Sequence, residues 1–240
     1  MREAGRIVAQ ALAEVKRILE PGVTTESLDH MGRDFVLERG GKLLFLNYHG
    51  FPAHTCISIN EEVVHGIPSA ERTVNDGDIM SIDVGVQIDG FCGDSARTFA
   101  VGNISEEASS LLDVCDTALM QGIAQACPGK RVSDISRAIQ EYVEGEGYTV
   151  VKKFVGHGIG RKMHEPPQVP NYVDTGILKE DPILKEGIVL AIEPMVNIGI
   201  EDVETLSANW TVITRDGKLS AHFEHTVAVT ANGPELLTLP

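Results

Sequence analysis

The decisive stretch of the sequence reads IDVGVQIDGFCGD, from Ile82 to Asp94. Two apolar runs flank Asp89-Gly90, and an Asp-Gly pair between such runs is typical of a two-residue β-hairpin turn. With the turn at that position, Asp94 lies opposite Gly85 and on the same face as Asp83. Two carboxylates on one face of an apolar hairpin repel each other unless a cation lies between them, although two exposed aspartates on an edge hairpin would give the same pattern.

The composition excludes several classes of protein. The chain has 240 residues, 42% of them hydrophobic, and a formal net charge of −15. Such an acidic chain disfavours non-specific binding to nucleic acids or anionic membranes, because phosphate groups attract basic surfaces. The cysteines show no metal-binding or disulfide spacing, and no apolar run reaches transmembrane length. We therefore expect a cytoplasmic protein in a reducing compartment.

The pattern of apolar residues predicts a mixture of helices and strands. Helical periodicity is found in four segments, at 3–20, 26–39, 106–127 and 133–146. Strands are predicted in the hairpin at 79–100 and later at 150–155, 188–196, 209–214 and 219–230. Glycine and proline predict loops at 156–160 and 165–170.

An internal repeat predicts two similar halves. A shift of 107 residues, from 21 to 128, superposes Pro21-Gly22 on Pro128-Gly129 and Gly40 on Gly147. Both copies have the order helix, Pro-Gly, helix, strands. We predict one catalytic domain over 1–240, with halves of about 1–104 and 105–240 and a site between them.

Charged side chains within apolar strands are the clearest chemical signal. Glu193 and Glu224 each lie inside a predicted strand, and a buried glutamate is costly unless it is paired, protonated or bound to a metal. A salt bridge to a distant Arg or Lys would also explain either residue. His157 lies between two glycines that let the backbone approach a ligand closely, although a lone histidine is more often structural.

Five residues together form a possible metal-binding set. Four carboxylates and one imidazole, with no thiolate, suit Mn, Fe, Co or Zn. Four carboxylates in one cavity carry four negative charges, which two divalent cations would neutralise. Two such ions about 3.5–4 Å apart can share a hydroxide nucleophile and polarise a carbonyl. If the residues meet in space, they favour two-metal hydrolysis; they are Asp83, Asp94, His157, Glu193 and Glu224.

Motifs along nearly the whole chain carry a resemblance to a known family. They include YHGFP at 48–52, CISINE at 56–61, VHGIP at 64–68, GHGIG at 156–160, IEPMVN at 192–197 and FEHT at 223–226. The chain resembles the methionine aminopeptidases of the bacterial type I class. Type II enzymes carry a large insertion between the positions of Glu193 and Glu224, which are close in sequence here. The resemblance implies the pita-bread fold, an α+β fold of two pseudo-twofold-related α/β halves around a central curved antiparallel sheet.

The resemblance also implies a role for each site residue. The reaction would remove methionine from the N-terminus of a nascent protein or peptide by two-metal hydrolysis. Glu193 is expected to carry the proton, His164 to help stabilise the oxyanion, and His65 to hold the scissile amide. The resemblance implies two divalent ions (Co, Mn, Fe or Zn), with Asp94 and Glu224 bridging both. The full set of implied ligands is Asp83, Asp94, His157, Glu193 and Glu224.

An apolar pocket for the methionine side chain follows from the same resemblance. Phe45 stands where a small cysteine is frequent in bacterial enzymes, and Met163 stands where an aromatic residue is frequent. Core packing is an alternative explanation for Trp210, and it explains Cys56 as well as a pocket role does. The pocket residues are expected to be Tyr48, Phe51, Cys56 and Trp210. The histidines expected to be structural are His30, His49, His54, His222 and His225.

Two other functions remain open at this stage. An aminopeptidase P or prolidase shares the five ligands but usually has an additional N-terminal domain, whereas a non-enzymatic relative that binds peptides or ribosomes typically lacks metal ligands. For the favoured function we expect peptide or nascent-chain N-termini as partners, transient ribosome contact, no specific nucleic acid, no membrane, and a monomer. The family usually has a short segment before its first helix, so a start at Met1 is expected to be shortened.

Overall fold

The computed structural model describes residues 1–173 and 181–240, and within these ranges the chain forms four α-helices and fifteen strands. The helices are α1 (Arg2–Arg17), α2 (Thr25–Glu38), α3 (Glu106–Ile123) and α4 (Val132–Gly145). The strands before α3 are β1 (Lys42–Leu43), β2 (Cys56–Ile59), β3 (Glu62–Val64), β4 (Ile79–Ile88) and β5 (Phe91–Ala100). The strands after α4 are β6 (Thr149–Val150), β7 (Gly156–Gly158), β8 (Glu165–Val169), β9 (Val189–Ile192), β10 (Met195–Asn197), β11 (Val203–Thr205), β12 (Val212–Thr214), β13 (Ser220–His222), β14 (His225–Thr230) and β15 (Gly233–Leu236).

The helices begin and end where local chemistry directs them. The Thr24 hydroxyl accepts a hydrogen bond from the Ser27 N–H at 3.2 Å at the start of α2, as an N-cap residue does. At the ends of α1 and α3, hydrogen bonds join residues three apart in sequence instead of four. Ile18 N–H donates to Val15 O at 3.2 Å, and Gln125 N–H donates to Gly122 O at 2.9 Å. Both helices therefore end a few residues before the Pro-Gly pair, earlier than predicted.

All strand pairs in the described residues are antiparallel and belong to four sheets. Strand β4 pairs with β1, β2 and β5, and Gly85 lies opposite Asp94 in the β4–β5 hairpin. The predicted register is therefore confirmed. The other sheets have the orders β13-β10-β6, β11-β12-β3 and β15-β14-β9-β7-β8.

Two strands predicted to be continuous are interrupted. The stretch 188–196 divides into β9 and β10 at Glu193-Pro194, and the stretch 219–230 divides into β13 and β14 at Phe223-Glu224. Because Ile192 pairs with His225 and Met195 pairs with His222, the two breaks lie side by side. Proline has no N–H for a strand ladder, which accounts for the break at Glu193-Pro194. The two breaks thus bring the backbones of Glu193 and Glu224 next to each other.

The other differences from the predicted strands are local. The strands predicted at 150–155 and 209–214 are shorter, since only β6 and β12 form there. The predicted loop at 156–160 contains β7, where a Cβ on Gly156 would lie 2.4 Å from Ala191 O, so glycine allows the close approach of β9. The predicted proline-rich loop contains β8, an edge strand, where missing N–H donors are tolerated.

The glycines of the two repeated Pro-Gly pairs make similar backbone hydrogen bonds. Gly22 N–H donates to Val74 O at 2.8 Å, and Gly129 N–H donates to Leu184 O at 2.9 Å. Both glycines adopt positive φ angles, +95° and +85°, which non-glycine residues rarely adopt. One buried apolar cluster draws on residues between 7 and 101, and a second draws on Ile79 and residues between 108 and 229. Each helix pair therefore packs against its own set of strands.

Strand β5 connects the two sets of strands at their centre. The Thr98 hydroxyl donates to His222 O and accepts from His222 N–H, both at 2.9 Å. Glu224 N–H donates to Ala96 O at 2.8 Å. These bonds hold the β13–β14 break against the hairpin that carries Asp94. None of the helices that the structure describes is long and apolar enough to cross a membrane.

Candidate active site

The β4–β5 hairpin places two aspartates on one face. Asp83 pairs with Ala96 and Asp94 pairs with Gly85, so the two side chains are diagonal neighbours. The Oδ1 atoms of both residues are buried and have no hydrogen-bond partner in the part of the chain that the structure describes. A buried carboxylate oxygen without a donor is costly, so both atoms are available to a ligand.

The paired strand breaks supply the two glutamates. Glu224 is 2% exposed, and its Oε1 atom is also buried without a hydrogen-bond partner among the described residues. The Asn171 amide donates to Glu193 O at 3.0 Å, which fixes the backbone at the first break. Because Glu193 and Glu224 lie between strands, the alternation of side chains along a strand does not set their directions. Both side chains line the same cavity as the aspartates.

His157, in β7, completes the set. Its Nδ1 atom lies 2.9 Å from Gly158 O and therefore carries the proton, which leaves Nε2 as an acceptor. That Nε2 atom lies 3.5 Å from Glu193 Oε1. Ligand atoms of His157, Asp94 and Glu224 all lie within 4.8 Å of one another. The structure thus brings the ligand atoms of these three residues together, and Asp83 and Glu193 line the same cavity.

In the described ranges, no ion pair with Lys or Arg balances the charges at this position. Among the ion pairs of the described residues, none joins Lys or Arg to the four carboxylates; Glu193 has only His157 and His222 nearby. The salt bridges considered from sequence are therefore not seen. Burial raises the pKa of Asp94 to about 7, and burial with the repulsion of Asp94 holds the pKa of Glu193 well above its usual range. Cations would relieve both the repulsion and the unpaired oxygens, so the residues fit divalent metal ions.

An apolar wall faces the carboxylates across a cavity of about 290 Å³. The Phe51 ring meets the Trp210 ring edge-on at 5.2 Å and the Phe45 ring at 6.5 Å between centroids. A Cβ on Gly85 would lie 2.8 Å from Phe45 Cε1, so the Phe45 ring fills the space that the missing side chain leaves. The wall contains all four predicted pocket residues and both unusual ones: Phe45, Tyr48, Phe51, Cys56, Met163 and Trp210.

Two predicted catalytic histidines lie at the cavity. The Tyr48 hydroxyl is 2.6 Å from His164 Nδ1, and the His164 ring lies 4.2 Å from the His157 ring between centroids. The His65 ring lies 6.3 Å from Trp210. Burial, and then the charge of His164, lowers the pKa of His65 to about 4. Burial, and then the charge of His49, also lowers the pKa of His164. Both rings are therefore neutral at pH 7 and can donate one N–H each.

Sequence reasoning missed His222, which was expected to be structural. Its Nε2 atom is buried without a hydrogen-bond partner in the described ranges and lies 3.7 Å from Glu193 Oε2. The available signal was its position two residues before Glu224, since the two side chains would share a face in the continuous strand predicted at 219–230. His49 also lines the cavity. His225, by contrast, bonds Thr238 at 2.7 Å and does not line the cavity.

The comparison with known proteins covers the whole site. Residues 1–231 match the model of metallopeptidase family M24. The chain belongs to this family. A methionine aminopeptidase of Clostridium acetobutylicum is 52% identical to this M24 chain over 239 residues, which cover 100% of the chain and 94% of the relative.

Solved structures place the chain within the M24 fold. The methionine aminopeptidase of Thermotoga maritima superposes with a TM-score of 0.96 at 42% identity, covering 100% of this chain and 95% of that one. A prolidase from Pyrococcus furiosus superposes with a TM-score of 0.79 at 22% identity and covers 100% of this chain but 62% of its own, a likeness of fold alone. The prediction of a pita-bread fold is confirmed.

Proposed function

We propose that this M24 chain is a methionine aminopeptidase that removes the N-terminal methionine from peptides and nascent proteins by two-metal hydrolysis. The observation that carries the proposal is the meeting of four buried carboxylates and one imidazole at a cavity whose opposite wall is apolar. Relatives named methionine aminopeptidase match the chain over nearly its full length, which supports the same conclusion.

The metal ligands of the proposed enzyme are the five residues predicted from sequence. When bound, two divalent ions would neutralise the carboxylates, activate a water molecule and polarise the scissile carbonyl. The oxygen-rich set accepts Mn, Fe, Co or Zn, and availability decides among them. The ligands are Asp83, Asp94, His157, Glu193 and Glu224.

The chain's own side chains supply proton transfer and charge stabilisation. Glu193, whose side chain lines the cavity beside the other ligands, takes the proton of the attacking water and passes it to the leaving amine. The Tyr48 hydroxyl lies 2.6 Å from His164 Nδ1, and in the tautomer that accepts its proton there His164 carries its own proton on Nε2 and can donate to the oxyanion. The neutral His65 ring holds the scissile amide.

The apolar wall accepts the methionine side chain. Aromatic rings and a thioether pack favourably against the sulfur and methylene groups of methionine. Tyr48, Phe51, Cys56 and Trp210 form this wall with Phe45 and Met163. The side chain of the first residue thus anchors the peptide beside the metal ligands.

The contact between Phe45 and Gly85 gives a testable prediction about this pocket. Gly85→Ala places a Cβ 2.8 Å from Phe45 Cε1 and must push the ring into the pocket. We expect kcat/KM for Met-Ala-Ser to fall about 10-fold or more, since a change of one methylene in an apolar pocket has effects of this size. The double variant Gly85→Ala with Phe45→Cys is expected to recover most of that loss, because the displaced ring is absent.

The matched control for this experiment is Gly145→Ala. Gly145 lies in α4, and a Cβ there would meet no atom within 4 Å. We expect unchanged kinetics for this variant. Wild-type kinetics in Gly85→Ala would show that Phe45 does not limit the pocket.

The proposed function is tested by following methionine release from Met-Ala-Ser before and after chelation. We expect release by the metal-loaded chain, loss of release after chelation, and recovery on separate addition of Mn, Fe, Co or Zn. Cleavage of an Xaa-Pro peptide without methionine release would instead identify a prolidase-type enzyme. No release, with fewer than one bindable ion per chain, would favour a binding protein.

We also propose that residues 1–240 act as a single catalytic unit, with halves of about 1–104 and 105–240. The cavity residues support this, because Asp94 and Glu224 come from different halves and line the same space. For this function, the protein acts in the cytoplasm as a monomer and meets nascent chains at the ribosome. Light scattering tests the monomeric state, and co-sedimentation with ribosomes tests the ribosome contact.

A further inference from the structure

Leu237 and Thr238, which follow β15, are buried next to the start of β14, the strand that begins after Glu224. Leu237 N–H donates to Thr226 O at 2.9 Å, so the segment after β15 follows the start of β14. Helix α1 lies directly against it, since a Cβ on Gly5 would be 2.2 Å from Leu237 O. The Thr238 side chain is consequently buried, with 3% exposure.

The Thr238 hydroxyl has two partners that fix its orientation. It accepts a hydrogen bond from the Thr226 N–H at 3.2 Å, and it lies 2.7 Å from His225 Nδ1. The amide donates to the hydroxyl oxygen, and the tautomer of His225 decides which partner donates in the second bond. Thr238 therefore holds the backbone immediately after Glu224.

A second hydroxyl continues the connection to Asp94. Thr226 Oγ1 accepts from the Asp94 N–H at 3.0 Å and donates to Asp94 O at 2.7 Å. Thr226 is fully buried, so these bonds have no competition from solvent. The hydroxyl groups of Thr238 and Thr226 thus link the C-terminal segment to the backbone of Asp94 and to the residues that follow Glu224.

We propose that Thr238 is a positioning residue for the metal site, acting through Thr226 on Asp94 and on the backbone next to Glu224. The inference rests on the proposed function, which makes both carboxylates metal ligands. Ligands must be held within about 0.5 Å of their productive positions, and partners beyond the ligands commonly supply that precision. Thr238 itself contacts no carboxylate of the site, so it tunes affinity without supplying a ligand.

The test compares Thr238→Val, which keeps the shape and removes the hydroxyl, with Thr238→Ser, which keeps the hydroxyl. We expect Thr238→Val to bind Mn²⁺ about 10–100-fold more weakly in calorimetric titrations of the chelated protein. The visible spectrum of the Co²⁺-loaded variant should change, and kcat should fall while KM for Met-Ala-Ser stays the same. Thr238→Ser should restore the affinity and the spectrum.

Thr230→Val is the matched control, since its hydroxyl donates to Gly233 O at 2.7 Å across the turn between β14 and β15, away from the ligands. Wild-type Mn²⁺ affinity and Co²⁺ spectrum in folded Thr238→Val would overturn the inference. If that variant does not fold, Thr238→Ala is judged by the same criteria. A wild-type chain that binds no metal and releases no methionine would overturn the proposed function itself, a result distinct from a defect confined to the Thr238 variants.

Discussion

Glu193→Gln is expected to fold normally and to lose about 10³-fold or more of kcat for methionine release. The amide has nearly the shape of the carboxyl group but cannot accept and return a proton, and proton transfer of this kind contributes 10²–10⁴-fold to catalysis. The substitution also removes one charged metal ligand. Steady-state kinetics with Met-Ala-Ser at saturating Mn²⁺ measure the loss of kcat, and circular dichroism tests whether the variant folds.

The matched control is Glu201→Gln, a glutamate on the surface that pairs with Lys152. The same chemical change there is expected to leave kcat and the metal affinity unaltered, because an exposed ion pair contributes little. If Glu193→Gln kept kcat within tenfold of the wild type, Glu193 would not carry the proton.

Asp94→Asn is expected to abolish turnover while stabilising the metal-free chain at neutral pH. Burial raises the pKa of Asp94 from its ordinary value of 3.8 to about 7. The folded state therefore binds this proton more tightly than the unfolded state does, and the resulting stabilisation is complete below about pH 4 and is lost as the pH rises to about 7. Asparagine carries no charge, so the variant escapes this loss.

Denaturation in the presence of a chelator between pH 4 and pH 8 measures the effect. Relative to Asp94→Asn, the wild type should become less stable as the pH rises, and Mn²⁺ should reverse the order because it binds only the wild type tightly. Asp113→Asn, at an exposed position of α3, controls for the loss of one negative charge. Parallel stability curves for wild type and Asp94→Asn would show that the Asp94 carboxylate is not destabilised in the metal-free fold.

The hairpin was predictable because its signal is local. The Asp89-Gly90 turn sets the register of β4 and β5, which places Asp94 opposite Gly85. Pro194 is a local signal for the first interruption, because proline cannot donate to a strand ladder, and the prediction of one strand over 188–196 gave it no weight. The interruption at Phe223-Glu224 was not predictable, since apolar residues on both sides give the pattern of one continuous strand. Only the pairing of β9 with β14 and of β10 with β13 reveals that the two breaks coincide.

The site shows the same division between local and distant information. Carboxylates within apolar strands, and a histidine between glycines, predicted the proposed ligand set from residue type and position. His222 was missed because a lone histidine is usually structural, although its spacing from Glu224 was informative. The contact of Phe45 with Gly85 and the link from Thr238 to Asp94 depend on packing between distant segments, which no local pattern encodes.

The central claim is that five side chains from both halves of the chain converge on two divalent cations. Anomalous diffraction from crystals grown with Mn²⁺ measures this directly. We expect two peaks about 3.5–4 Å apart, in contact with Asp83, Asp94, His157, Glu193 and Glu224. Well-ordered crystals with no peak at these residues, or with Mn²⁺ bound only elsewhere on the chain, would contradict the account.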